Sequence, residues 1–315
     1  MTNATKTLSA ILFIFVALTV GVKLASHPSA SKAFRGTIVN VDTARVNKMI
    51  INSPTKNKKI TLQKKSHGWK VSGGGSKTLY PADHRRVSRA LGMLTHLDVK
   101  AIATRNPKNY TRYKADSTGT KVLLMNGNKQ LAGLIIGAPQ FVSRRQFNNY
   151  VRPIGNKTVY AVNGFLRPAF STSVNQWRNK KVWKLNRSKI SAIDFKFPAD
   201  SSYTIKKVDG GKWISNRDTL KQNKVNSILR QFTPLRARSF IDSLSVSNFS
   251  KPLYTVQLHL ANGNQKTLRI KPLNGQKATF EAIASGYPYV FTLNISEWNS
   301  TVLASRKTLL KKKKK

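Results

Sequence analysis

Cysteine is absent from the 315 residues of this chain. That excludes disulfides, thiolate catalysis, Cys-ligated zinc and a lipid anchor on cysteine, and it removes the usual clue to redox compartment. Acid is scarce as well: 11 Asp and Glu stand against 56 Lys and Arg. The only glutamates are Glu281 and Glu297. A glycosidase needs two carboxylates flanking one scissile bond, and nothing in the sequence sets these two opposite each other. His27, His67, His84, His96 and His259 form no HxxxH or HxH pair, so a His-ligated metal is disfavoured. No GxSxG elbow occurs, and the glycines at 73–75 lack the GK[ST] ending of a phosphate loop. No cofactor is expected, and catalysis has little material. The remaining enzyme reading is a site assembled between the two halves of the chain. Beyond residue 22 no run is apolar enough to span a membrane.

What is present is material for a folded core. Hydrophobic residues make up 40% and aromatics 9% of the chain, and the length allows one large domain or two ordinary ones. The formal net charge of +45 gives a surface that attracts polyanions, and it says nothing about fold. Near the N-terminus, "TLSAILFIFVALTVGV" (7–22) lies between Lys6 and Lys23. It is short for a span and long for a signal-peptide core, so both readings stay open, with an uncleaved anchor favoured.

The chain says one thing twice. "ITLQKKSHGWKVS" followed by "DHRRVSRALGMLTHL" is matched by "YTIKKVDGGKWISN" followed by "QNKVNSILRQFTPL". Val87, Ala90, Leu91, Leu94 and Leu97 form one apolar stripe of a 3.6-residue period. Val225, Ile228, Leu229, Phe232 and Leu235 repeat its spacing. Each copy then holds an Asn-Gly-Asn between β-type segments (126–128 and 262–264). This is a hairpin signal, because Asn-Gly tolerates the positive φ of a type I′ turn. A second hairpin follows in each copy, near Gly155 or Gly286. Trp69 and Trp213 occupy equivalent places and are expected to face the helix stripes in the core. Asp83 is expected to cap the first helix, and Glu297 to lie at the start of another.

The fold class expected is therefore α+β, two tandem similar repeats, each a mostly antiparallel sheet with one packed amphipathic helix. The boundaries are an anchor or signal segment at 1–22, a juxtamembrane linker at 23–45, a first repeat at 46–163, a helical linker at 164–190, a second repeat at 191–305 and a basic tail at 306–315. Basic and aromatic residues interleave at 105–114, 141–152 and 177–184. Such stretches can clamp anions while stacking on flat groups, so the candidate polyanion contacts are Arg105, Arg112, Arg144, Arg145, Arg152, Arg178, Lys180 and Lys181. No nucleic-acid-binding signature accompanies them, and anionic lipid or polymer is the better candidate.

With "GWKV…YPADHRRVSRALGMLTHL", "LIIG…NYVRP…VYAV" and "WRNKKV", the chain resembles, from about residue 46 to 305, the bacterial family catalogued as domain of unknown function 4340. The most specific pieces are Tyr80-Pro81-Ala82-Asp83, Tyr150-Val151-Arg152 and Trp177-Arg178. Members carry one N-terminal membrane segment and are often encoded beside a gliding-type ABC transporter. The resemblance implies a single-pass inner-membrane protein with its bulk in the periplasm. It would be an accessory or scaffold whose partners are ABC transporter membrane subunits, with no catalytic residues to carry over. The alternative is a basic surface protein binding anionic lipid, envelope polymer or nucleic acid through charge.

Overall fold

Strand β1 (Lys48–Ser53) buries every second residue, Met49, Ile51 and Ser53. The alternation recurs in β2 (Lys58–Lys65), which buries Ile60 and Leu62, and in β6 (Thr120–Asn126), which buries Thr120, Val122 and Leu124. A period of two with one apolar face makes a sheet that is covered on one side. The computed structural model describes residues 38–53, 58–73, 78–143, 146–164, 166–273 and 279–310. The segment 1–22, most of the linker after it, Arg144, Arg145 and the terminal lysines lie outside the described residues. Among the described residues no helix is long and apolar enough to cross a membrane.

The chain divides into two units, residues 1–178 and 179–315. The division falls inside the stretch 164–190 expected as a linker. Leu166, Phe170 and Trp177 belong to the core of the first unit, and Trp183 and Ile190 to that of the second.

The first unit is a ten-stranded sheet. It adds β3 (Gly68–Gly73), β4 (Tyr80–Pro81), β5 (Val99–Thr104), β7 (Lys129–Ile136), β8 (Gln140–Ser143), β9 (Gln146–Pro153) and β10 (Val159–Val162). The order is β4-β3-β2-β1-β6-β7-β9-β10-β5, with β8 paired to β9 alone, and every pair is antiparallel. Helix α1 (His84–Thr95) buries Val87, Ala90, Leu91 and Leu94 in the same core as Trp69. The Asp83 carboxylate accepts the Arg86 amide at 3.2 Å, the capping role expected of it, worth about 1 kcal/mol. Leu97 lies past the helix end but still packs on the core.

The second unit is an eight-stranded antiparallel sheet in the order β14-β13-β12-β11-β15-β16-β17-β18. Its strands are β11 (Ile190–Lys196), β12 (Tyr203–Lys207), β13 (Trp213–Ser215), β14 (Asp218–Thr219), β15 (Tyr254–Leu260), β16 (Gln265–Pro272), β17 (Thr279–Ala284) and β18 (Phe291–Asn294). Helix α2 (Gln222–Phe232) presents Val225, Ile228, Leu229 and Phe232 to a core that also holds Trp213. It stops where the Thr233 hydroxyl returns to the Leu229 carbonyl at 2.7 Å and Pro234 cannot continue the helix.

One turn differs from expectation. Asn126 is the last residue of β6 and pairs with Lys129, so the two turn positions are Gly127 and Asn128. Of these only Gly127 has a positive φ, 60°, whereas a type I′ turn requires it at both. Register places Gly first and the Asn before it inside the strand, which is the preference of type II′. In the second unit the matching tripeptide sits in a longer loop in which Gly263 has φ 81°.

Candidate binding surface

The residues singled out from sequence fall into different settings. Arg105 and Arg112 are exposed, and Arg112 lies over the ring of Tyr113. Arg144 and Arg145 are outside the described residues. Arg152 is committed internally: its Nε donates to the Ala115 carbonyl at 2.7 Å, its Nη1 donates to the Asn156 carbonyl, and its guanidinium lies 4.4 Å from the Tyr110 ring centre. Arg178 is 2% exposed, with its guanidinium 3.7 Å from the ring centre of Tyr80, so it is not part of the outer basic surface. Reading residues 177–184 as one basic stretch missed this, because a local window does not reveal that the first two residues turn inward.

The inward turn has a partner. The Asp83 amide donates to the Trp177 carbonyl at 2.7 Å, and Ala82 bridges Arg178 as an antiparallel pair. Arg86 lies over the Trp177 ring at 5.0 Å. The Trp177 indole, fully buried, donates to the Ser171 carbonyl at 2.7 Å. Residues 80–83 and 177–178 are thus two halves of one clasp that closes the core of the first unit.

Lys180 and Lys181 lead into the surface that does assemble basic groups, in the second unit. After Pro234 the chain runs extended. On one side the Val182 amide donates to the Leu235 carbonyl and the Ala237 amide to the Lys180 carbonyl. On the other, the Arg238 amide donates to the Thr292 carbonyl and the Ile241 amide to that of Val290. Strand alternation then buries Leu235 and Ala237 and turns Arg236 and Arg238 outward on one face. Arg230, from the last turn of α2, joins them around a cavity of about 630 Å³. Leu235, Leu293 and Trp298 give it an apolar floor, and Glu297 is the one carboxylate among its lining residues. Arg230 donates to the Ser227 hydroxyl at 2.8 Å. The guanidinium groups of Arg236 and Arg238 make no hydrogen bond or ion pair among the described residues. Lys180 reaches the Arg238 carbonyl at 2.7 Å, beside the same rim. No sequence motif marked these arginines. The alternation in "LRARSF" was the only available signal.

A second polar cluster lies on the face of this sheet away from α2. Asp194 on β11 meets the His259 ring at 2.6 Å and accepts the Thr204 hydroxyl at 2.7 Å. Burial pushes the Asp194 carboxyl up. The hydrogen bonds from His259 and Thr204, with the charges of His259 and Lys196, outweigh it and leave the group below its ordinary value of 3.8. Asp116 is also lowered, chiefly by the Thr118 hydroxyl. A depressed carboxylate contributes stability above its unfolded pKa that is lost as pH falls through the folded one. Acid unfolding is therefore expected to steepen below about pH 4. Asp194→Asn should lose about 1–2 kcal/mol at neutral pH and flatten that acid limb, as measured by urea unfolding across a pH series. An unchanged acid limb would contradict this. Among the described residues no three His, Asp or Glu come together as a metal-holding group.

Comparison with known proteins gives one positive result. A family model described as "Domain of unknown function (DUF4340)" matches residues 75–252, more than half of the chain. The chain belongs to this family. No curated protein matches it, and no solved structure does. The DUF4340 match runs from just before β4 to the loop before β15, taking in Tyr80–Asp83, Tyr150–Arg152 and Trp177–Arg178. In this DUF4340 chain those pieces hold the fold: the first and third form the clasp. Tyr150, packed 4.5 Å from Tyr113, and Arg152 fasten a smaller cluster around Ala115 and Val159.

Proposed function

We propose that this protein works by binding, as a membrane-anchored, extracytoplasmic accessory or scaffold protein. A surface in its second unit takes an anionic group of its partner. The observation that carries this reading is the cavity rimmed by Arg230, Arg236 and Arg238. The last two guanidiniums have no acceptor among the described residues, and the floor beneath them is apolar. Arginine presents planar, paired donors suited to carboxylate or phosphate. An apolar floor favours a partner side chain or headgroup over a free inorganic ion. The resemblance to DUF4340 makes a membrane subunit of an ABC-type transporter the partner to look for, at the periplasmic face of a bacterial inner membrane.

The two units fit the reading as copies of one fold. In the first, β1 to β4 lead into α1, and in the second β11 to β14 lead into α2. A short 3₁₀ turn precedes each, Thr43–Arg45 capped by Asp42 and Arg187–Lys189 capped by Asn186. If one fold is used twice, the arginine rim distinguishes the second copy.

The test is crosslinked affinity purification of the full chain from native membranes, washed at low and then high salt, beside an Arg236→Glu/Arg238→Glu variant. Both residues are exposed, so the variant should unfold within about 0.5 kcal/mol of the wild type. A defined membrane protein should survive high salt with the wild type and disappear with the variant. Equal retention by both would overturn the pocket reading. If only acidic material came down and all of it left with salt, the second reading would take its place: polyanion binding through charge alone. The net charge of +45 is the observation that favours it.

A further inference from the structure

We infer that the β8–β9 hairpin is a contact for an anionic lipid bilayer. This hairpin is built unlike the rest of its sheet. Strand β9 pairs with β7 and β10 only through Asn149–Pro153, while Gln146–Asn148 pair with β8 alone. The outer part is therefore a two-stranded ribbon, a form marginally stable by itself in water. Phe141 on β8 stands opposite Phe147 on β9, ring centres 6.3 Å apart in an edge-on contact. Phe141 is 81% exposed, and the next most exposed large apolar side chain among the described residues, Leu244, reaches 41%. Single exposed apolar residues are ordinary; a nearly bare phenylalanine paired with a second one on a projecting ribbon is not.

The occupant follows from area and charge. Two aromatic side chains on a narrow ribbon fall well short of the roughly 800 Å² per partner that a stable protein interface buries. An aromatic pair on a basic, acid-free stretch of chain is instead what settles at the headgroup level of a membrane, where small contributions add to other attachments. Arg144 and Arg145 stand in the sequence between the two strands, and Lys100 donates to Asn148 at the base of the ribbon. No Asp or Glu occurs between Asp116 and Asp194, so this stretch carries no acidic residue to repel an anionic surface. The arginine cavity is not involved, and Arg236→Glu/Arg238→Glu should leave the contact unchanged.

The lack of cysteine makes the test direct. Phe141→Cys in the full chain offers a single site for an environment-sensitive fluorophore, with Lys129→Cys, exposed at the start of β7, as the comparison. Each is reconstituted into phosphatidylcholine vesicles with or without phosphatidylglycerol. The label at 141 should shift to the blue and be shielded from iodide in the anionic vesicles, and lose both effects in zwitterionic ones. The label at 129 should stay in water throughout. Phe141→Ser should fold with an unchanged melting curve and weaken sedimentation with anionic vesicles. A water-like signal from position 141 in anionic vesicles would overturn the proposal. So would shielding that appears only when other envelope proteins are present, which would make the hairpin a protein contact.

Discussion

Replacing Trp177 by alanine is expected to destabilise the first unit by about 3–5 kcal/mol, a large part of what a domain of this size possesses. The indole is fully buried in the core of the first unit, so its removal leaves a cavity there in addition to the transfer cost. It also orphans the Ser171 carbonyl, which accepts the indole N–H, and removes the ring under Arg86. Trp177→Phe separates these contributions: it keeps most of the volume and loses the hydrogen bond, and should cost about 1–2 kcal/mol. Urea unfolding followed by tryptophan fluorescence and far-ultraviolet dichroism measures both. A loss below about 1 kcal/mol for the alanine variant would mean that the clasp is not what holds this core together.

Lys271→Met should destabilise the second unit by about 2–4 kcal/mol, more than a surface lysine would. Its ammonium lies 2.9 Å from the Glu281 carboxylate, whose side chain is 8% exposed, and 4.9 Å from the Phe249 ring centre. Strand β17 is buried on both faces. Phe280, Ala282 and Ala284 face the main core, while Ile283 packs with Phe249 and Val290 in a smaller cluster on the other side. Glu281 sits on that covered face, so loss of the lysine strands a carboxylate where water is scarce. Removing both charges, Lys271→Met with Glu281→Leu, should recover most of the loss, because an apolar pair of similar volume carries no desolvation cost. A double variant less stable than the single one would show that the pair is worth more than its burial costs.

How far the sequence could be read depended on the range of each interaction. The α1 and α2 stripes, the inward Trp69 and Trp213 and the Asp83 cap all rest on neighbours within a few turns of chain, and the spacing of apolar residues disclosed them. The β6–β7 turn depended on register, which decides whether Asn126 is a turn residue or the end of a strand, and composition does not carry register. Arg178 and Arg152 looked like members of a basic surface because a window of sequence shows charge but not direction. Their partners, Tyr80 and Tyr110, come from other segments. The Arg236–Arg238 rim and the Asp194–His259 pair went unnoticed for the same reason. Each exists only once strands distant in sequence lie side by side.

The clasp also fixes an order of events as the chain is made. Tyr80–Asp83 emerge early, and Trp177 and Arg178 are the last residues of the first unit. Contacts between segments so far apart form slowly, since a long loop must close before they repay its entropy. The first unit therefore stays open along one side until its final residues have left the ribosome. Chains cut just short of residue 177 should expose that open side and aggregate, while the second unit, which starts at Asn179, begins only after the closing residues have appeared.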